Sequence, residues 1–523
     1  MTSTMAAFIS IFFWLIISIV VGGIIGRRLT SDTMVDYFAG GRTFGTLTTL
    51  FALIGSYMSS FIMIGVVGQS YSSGMATFGA VGLATGVVFV IAICLLGIPI
   101  FALGKKWNYV TCIDLLVDRY PSNIMRIWFA AVIVLTVVPY LVMQFTGTAM
   151  VLTSITKGAV PYWAGLVLTA VILFSYVVMG GYKGVTLVDA VQGFTIPIII
   201  IICLFALLGS VNGGMPGVVE TLTKQGLDKM LTIPGQVPMW TYGQFILFAV
   251  VGVTMVLIPQ NYLRWYAAKD NKSIVWTGIL FGLLFPIMSI QELIGGPLAR
   301  VLVPGLKGTA VDGAFPAAIA TLNSPFMVGM FNAALWAAVL STSASLIIGV
   351  SGVITKDIYK HYAKTQSEQQ IVKWGRIWTG LILVVAAVIA IHPPTSIAFI
   401  GMLSFGIMMQ IVPAMISAIY WPRANRYGVL AGSILGELLL FIQTGIQFGA
   451  GKAVAISPWV PGWHPSIIAL VPNIVVFIVV TLLTPAEDQS IFNKFHGFLR
   501  EEFKANSKSL PLESKTITDG GKL

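Results

Sequence analysis

The sequence predicts an all-α integral membrane protein of about thirteen transmembrane helices. Three observations carry that expectation. Of 523 residues, 57% are hydrophobic and only 9% are charged, and the mean hydropathy is +0.91; a soluble domain carries about 25% charged residues. The apolar runs are long, unlike the short alternating segments of a membrane barrel. The basic residues collect at the ends of those runs on alternate sides, as orienting charges do.

The first run, residues 6–26, ends at Arg27-Arg28 and has no basic residue before it. It is read as a span with the amino terminus outside, not as a cleaved signal peptide. Further runs follow at about 45–72, 76–103, 123–155, 160–180, 186–210, 241–263, 273–303, 326–358, 371–392, 395–421, 426–447 and 464–484. An odd number of spans puts the carboxyl terminus in the cytoplasm. The loops agree: of 30 lysines and arginines, only Lys157, Lys224, Lys229, Arg300, Lys307 and Lys452 fall outside. The net charge of +11 therefore orients helices and does not mark a nucleic-acid surface. Cys94, Cys112 and Cys203 lack metal-ligand or redox spacing and are read as packing residues. The tail after Pro485 is short and charged, so no soluble enzyme or sensor module is expected.

Two runs are poor as continuous helices. One holds Gly55-Ser56, Ser59-Ser60, Gly65 and Gly68; the other holds Gly252, Thr254 and Pro259-Gln260. Interruptions at corresponding places in two halves point to discontinuous helices at a midplane site. This predicts an inverted five-helix repeat, 45–210 and 241–421. Around it lie a leading helix and loop (1–44), an extracellular loop (211–240), two accessory helices (422–485) and a cytoplasmic tail (486–523).

Ionisable residues within spans are few: Asp189, Glu292 and Glu437, with Gln144, Gln260, Gln291 and Gln410 as polar companions. Such residues usually face the interior or an aqueous path. Asp189 is expected to cap its helix or pair with Lys183. Glu292 lies eight residues before Arg300 on the same face, so a pairing through water is expected. Glu437 is assigned to packing or oligomer contact. The stretch Phe326–Lys360 turns from apolar residues to Ser341, Thr342, Ser343 and Ser345. Such hydroxyls either let helices pack closely or serve as hard oxygen ligands for a cation.

The order Ala338-Val339-Leu340-Ser341-Thr342, with the Lys356-Asp357-Ile358-Tyr359-Lys360 exit, resembles the eighth core helix of the sodium:solute symporters. That family includes the proline, pantothenate, sialic acid and sodium/glucose carriers. Residues 37–45 resemble the lead-in to the first core helix. Gly180-Gly181 with Asp189 and Val191-Gln192 resembles the fifth, and Pro259–Arg264 resembles the exit from the sixth. Four such motifs in order cover most of the chain. The resemblance implies a sodium-coupled symporter with no cofactor, whose partners are sodium, a small-molecule solute and membrane lipid.

The resemblance also implies a sodium site between the first and eighth core helices. Its ligands are the carbonyls of Gly55, Met58 and Ala338 and the hydroxyls of Ser341 and Thr342. Asp189 and Ser345 match a second sodium site or an exit path, with Ala344 replacing one hydroxyl. Tyr57 stands where proline carriers have an acid, which argues against close kinship with them. Val142–Ala149 looks like the pantothenate and monocarboxylate carriers. Candidate solute contacts are Ser56, Ser59, Ser60 and Gln144, with Trp240, Tyr242 and Phe248 as an aromatic lid. The serines beside a helix break suit a carboxylate. No Arg or Lys is expected near them, which disfavours a solute with several negative charges. The rivals are a neutral-solute or proline-like carrier, a channel and a sensor derived from a transporter. A membrane-embedded enzyme is disfavoured, since His392 stands alone beside Pro393-Pro394 at a helix end.

Overall fold

The computed structural model describes residues 2–237, 240–363, 367–393, 395–449 and 456–508. Lys452, used above for topology, Lys364 and the tail beyond residue 508 lie outside the described residues. The described chain is helical throughout, apart from one isolated parallel bridge between Phe44 and Ala268.

The apolar runs become spans. They are α1 (Phe8–Leu29), α2 (Thr46–Tyr57 with Phe61–Ser73), α3 (Phe78–Trp107) and α4 (Asn123–Ser154). Tyr162–Gly209 follows as 48 helical residues, about 72 Å at 1.5 Å per residue, more than twice the ~30 Å hydrocarbon core. Gly181 divides it, with φ 56° and ψ −159°, a conformation open to glycine and strained for other residues. The two parts are α5 (162–180) and α6 (182–209). Then come α7 (Tyr242–Leu257 with Pro259–Ala267), α8 (Asn271–Leu302), α9 (Pro325–Ala363), α10 (Glu368–Ala390), α11 (Ile397–Tyr420), α12 (Arg426–Gly449) and α13 (Pro465–Leu483).

Local sequence sets where these helices begin. Ser324 accepts a hydrogen bond from Met327 N, and Pro325 fills the first helical position of α9. Asp270 accepts from Ser273 N at 2.8 Å at the start of α8. Both predicted interruptions are real: α2 bends by 50° and α7 by 48°. At the first, Met58 leaves the helical region with φ −73° and ψ 77°. At the second, Ile258 is extended and Pro259 restarts the helix. The paired bends, five spans apart, define the inverted repeat. Phe44 N donates to Ala267 O and Lys269 N to Phe44 O, joining the entry of α2 to the exit of α7.

Burial separates centre from periphery. In α9, 94% of the most apolar window is buried inside the protein, against 33% in α1. A helix apolar all round and also covered all round is a core element. The segment 211–240 is ordered where described: it carries helix Gly214–Lys224, and Met230 O accepts from Met75 N at 2.8 Å, where α3 begins.

Candidate functional site

The α2 break releases backbone oxygens. In an unbroken helix, the N–H groups of Ser59 and Ser60 would bond the carbonyls of Gly55 and Ser56. Here Ser59 N donates to Tyr57 O at 2.9 Å, and Ser60 N donates to Gln144 Oε1 at 3.0 Å. The Ser56 carbonyl accepts from Thr342 Oγ1 at 3.1 Å instead. That hydroxyl also lies 2.9 Å from Ala338 O. The Gly55 carbonyl thus loses its helical donor beside α9. A Cβ on Gly55 would stand 2.6 Å from Asp189 O and 2.8 Å from Ser341 Oγ, so α2, α6 and α9 converge only because the side chain is absent. Ser341 Oγ is buried and faces Asp189.

Gly55, Ala338, Ser341 and Thr342 therefore come together, with Met58 at the break itself. The Met58 thioether meets Gln291 Nε2 at 3.9 Å. The donor set is neutral oxygen, carbonyl and hydroxyl, which suits a hard monovalent cation.

Beside this set lies a buried ion pair. Arg264 Nη2 donates to Asp189 Oδ2 at 2.9 Å and to Ser345 Oγ at 3.2 Å, and also to Ser56 Oγ. Ser345 Oγ donates to Asp189 Oδ2 at 2.6 Å. The two charged side chains are 1% and 0% exposed. Two expectations change. Asp189 pairs with Arg264; Lys183 pairs with Asp36 at 2.8 Å. A buried basic residue does stand beside the serine cluster. Reading Arg264 as a loop charge overlooked that Pro259 starts a new helix, which carries Arg264 inward. The guanidinium takes Asp189 Oδ2 and Ser345 Oγ, while Asp189 Oδ1 is buried without a hydrogen-bond partner.

Next to the break, Tyr57, Ser59, Phe61, Tyr140, Phe248 and Phe405 line a narrow cavity. Its room in this conformation is about one water. Ser59 Oγ is buried there and faces the Tyr140 hydroxyl. Trp240 stacks 5.6 Å from Phe248 and donates to Thr77 Oγ1 at 3.2 Å. Tyr242 does not join them: it is 90% exposed. Ser60 and Gln144 brace α2 against α4, with Ser60 Oγ donating to Met143 O at 3.3 Å, while Ser56 turns toward Arg264. Tyr140 and Phe405 escaped the sequence reading because aromatic residues are common in every span. The Glu292 carboxylate forms no hydrogen bond, and Arg300 lies over the Tyr71 ring at 5.0 Å. Both Glu437 oxygens are likewise buried without partners.

Paired broken helices around a neutral oxygen set define a secondary transporter, not an enzyme. The chain belongs to the sodium:solute symporter family, whose model matches residues 37–436. It is 27% identical to the sodium/pantothenate symporter of Escherichia coli (strain K12), covering 87% of this chain and 91% of that protein. It is 26% identical to a monocarboxylate transport permease protein of Rhizobium johnstonii, with 91% and 96% covered. The fold matches that of a Na+-coupled sialic acid symporter with a TM-score of 0.75 at 18% identity, covering 92% and 99% of the two chains. The protein is thus a multi-pass, sodium-coupled solute symporter with sodium as coupling ion.

Proposed function

We propose that the solute is a small carboxylate, a short monocarboxylate or a pantothenate-like acid, imported by alternating access. One observation carries the reading. The buried Ser59 hydroxyl faces Tyr140 in an aromatic cavity one residue beyond Met58. A carboxylate there sits near the ion, so each offsets the other's charge in a low-dielectric site. That gives coupling a physical cause. The pantothenate and monocarboxylate relatives support the same class. One charge moved through 100 mV supplies about 2.3 kcal/mol, and a tenfold sodium gradient adds about 1.4 kcal/mol.

Sodium-dependent uptake of labelled pantothenate, lactate, proline and glucose into liposomes carrying the protein tests the class. The acids are expected to accumulate; accumulation of proline or glucose alone overturns the assignment. Ser59→Ala should weaken uptake of the acid by about 1–3 kcal/mol and leave a neutral amide analogue nearly unaffected. The same reading places the amino terminus outside and the carboxyl terminus in the cytoplasm. Single cysteines at Lys224 and Lys360 should then label from opposite faces of the membrane.

A further inference from the structure

We propose that Glu292 is a proton-binding site, distinct from the sodium ligands, whose occupancy follows the position of the α2 break. Glu292 is 0% exposed, and neither carboxylate oxygen has a hydrogen-bond donor. It lies in the wide turn Gln291–Gly295 that interrupts α8 just after Ser289. Such turns inside helices often mark functional positions. Its surroundings are apolar or neutral. A Cβ on Gly82 of α3 would meet Glu292 Oε2 at 3.0 Å and the Phe78 ring at 2.9 Å. From α2, Ser70 Oγ donates to the Glu292 backbone carbonyl at 2.7 Å. Tyr57 is the titratable group that faces Glu292 from the α2 break, and its hydroxyl neighbours Ser289. The Tyr57 and Ser289 hydroxyls are themselves buried and face each other. Among the described residues, no basic side chain reaches Glu292.

An isolated ionised carboxylate in such a place is untenable; the group neutralises instead. A metal cation would need several oxygen ligands and room to sit. None of the cavities described includes Glu292. A proton needs no cavity. The step is the transfer of one proton from water to a carboxylate oxygen, forming one O–H bond with no redox change.

The site is tied to the moving element. The Tyr57 ring packs 5.7 Å from Phe281 and 5.2 Å from Phe285 of α8, and Gln291 reaches Met58. Displacing the break would uncover Glu292 to water, where a carboxyl group ionises near pH 4. Closing the break takes the proton up again, so alkaline pH opposes closure by up to tenfold per pH unit.

Infrared spectra of the full chain in phosphatidylcholine liposomes at pH 7 test the site without any solute. Wild type should show protonated-carboxyl stretches, of which Glu292→Gln removes one that Glu437→Gln leaves in place. No difference between wild type and Glu292→Gln overturns the proposal. A second arm rests on the transporter reading: sodium-driven uptake of labelled pantothenate and lactate between pH 6 and pH 9. Wild-type uptake should fall with rising pH by up to tenfold per unit, and Glu292→Gln should flatten the profile. Identical profiles in the two proteins overturn the linkage to the break. If neither acid is taken up, the carboxylate assignment fails while the infrared result still decides the proton. If Glu292→Gln does not fold, a carboxyl band that persists to pH 8 in Glu437→Gln supports the site, and its absence at pH 6 in that variant overturns it.

Discussion

Asp189 and Glu292 are both acids at zero exposure inside spans, yet the chain treats them oppositely. Asp189 receives Arg264 and Ser345; Glu292 receives nothing from a side chain. The difference teaches that burial alone does not define an intramembrane acid. What decides is whether a neighbouring helix delivers a cation. For Asp189 the restarted half of α7 does so, because Pro259 turns Arg264 inward. For Glu292 the facing elements present Gly82, Phe78 and Tyr57, none of which can balance a negative charge.

The largest expected effect tests the paired acid. Arg264→Leu or Asp189→Leu alone leaves a buried charge without its partner and should destabilise the protein by about 3–5 kcal/mol. The double variant should recover much of that loss, because it removes both charges. Thermal unfolding in detergent measures all three. A double variant as unstable as the sum of the singles would mean that the pair does not act as a unit.

A third acid sharpens the contrast from outside the membrane. Asp312, in the connection between α8 and α9, accepts a hydrogen bond from Ile397 N at 3.0 Å. Burial pushes its carboxyl up to about 6, and the Ile397 bond lowers it only in part. The folded protein therefore binds this proton more tightly than the unfolded chain. Stability is full below the ordinary value of 3.8 and falls as pH rises toward 6. The loss is on the order of 2–3 kcal/mol at 1.36 kcal/mol per unit. Unfolding temperature from pH 4 to pH 7 should show that decline, and Asp312→Asn should remove it.

Next in size is the proposed sodium set, which uses neither acid. Ser341→Ala and Thr342→Ala should each raise the sodium concentration for half-maximal uptake by about tenfold, equivalent to about 1.4 kcal/mol, at unchanged protein abundance. Unchanged sodium dependence in both variants would return these hydroxyls to helix packing. The smallest effect belongs to the unpaired acid. A neutral carboxyl and an amide have nearly the same shape, so Glu292→Gln should shift unfolding by less than about 1 kcal/mol. A loss as large as that of Asp189→Leu would mean that Glu292 carries a charge and has a hidden partner.

Sequence alone determined the class of this protein. Long apolar runs with little charge can only become membrane helices, because lipid offers the backbone no hydrogen bonds. Gly55-Ser56 through Ser60 and Pro259-Gln260 announced the two bends, because glycine and proline weaken the helical ladder locally. The hydroxyl pattern of Ser341 and Thr342 is equally local, and both side chains lie against the broken α2. The partners of Asp189, the exposure of Tyr242 and the neutral surroundings of Glu292 were not local facts. Arg264 lies 75 positions from Asp189 along the chain, and at the end of an apolar run it is indistinguishable from an orienting loop charge. Tyr242 shares its run with Phe248, and only helix rotation sets one outside and the other against Trp240. Which side chains meet across α2, α6, α7 and α9 depends on bend angles and close glycine contacts, and those are settled only when the helices pack together.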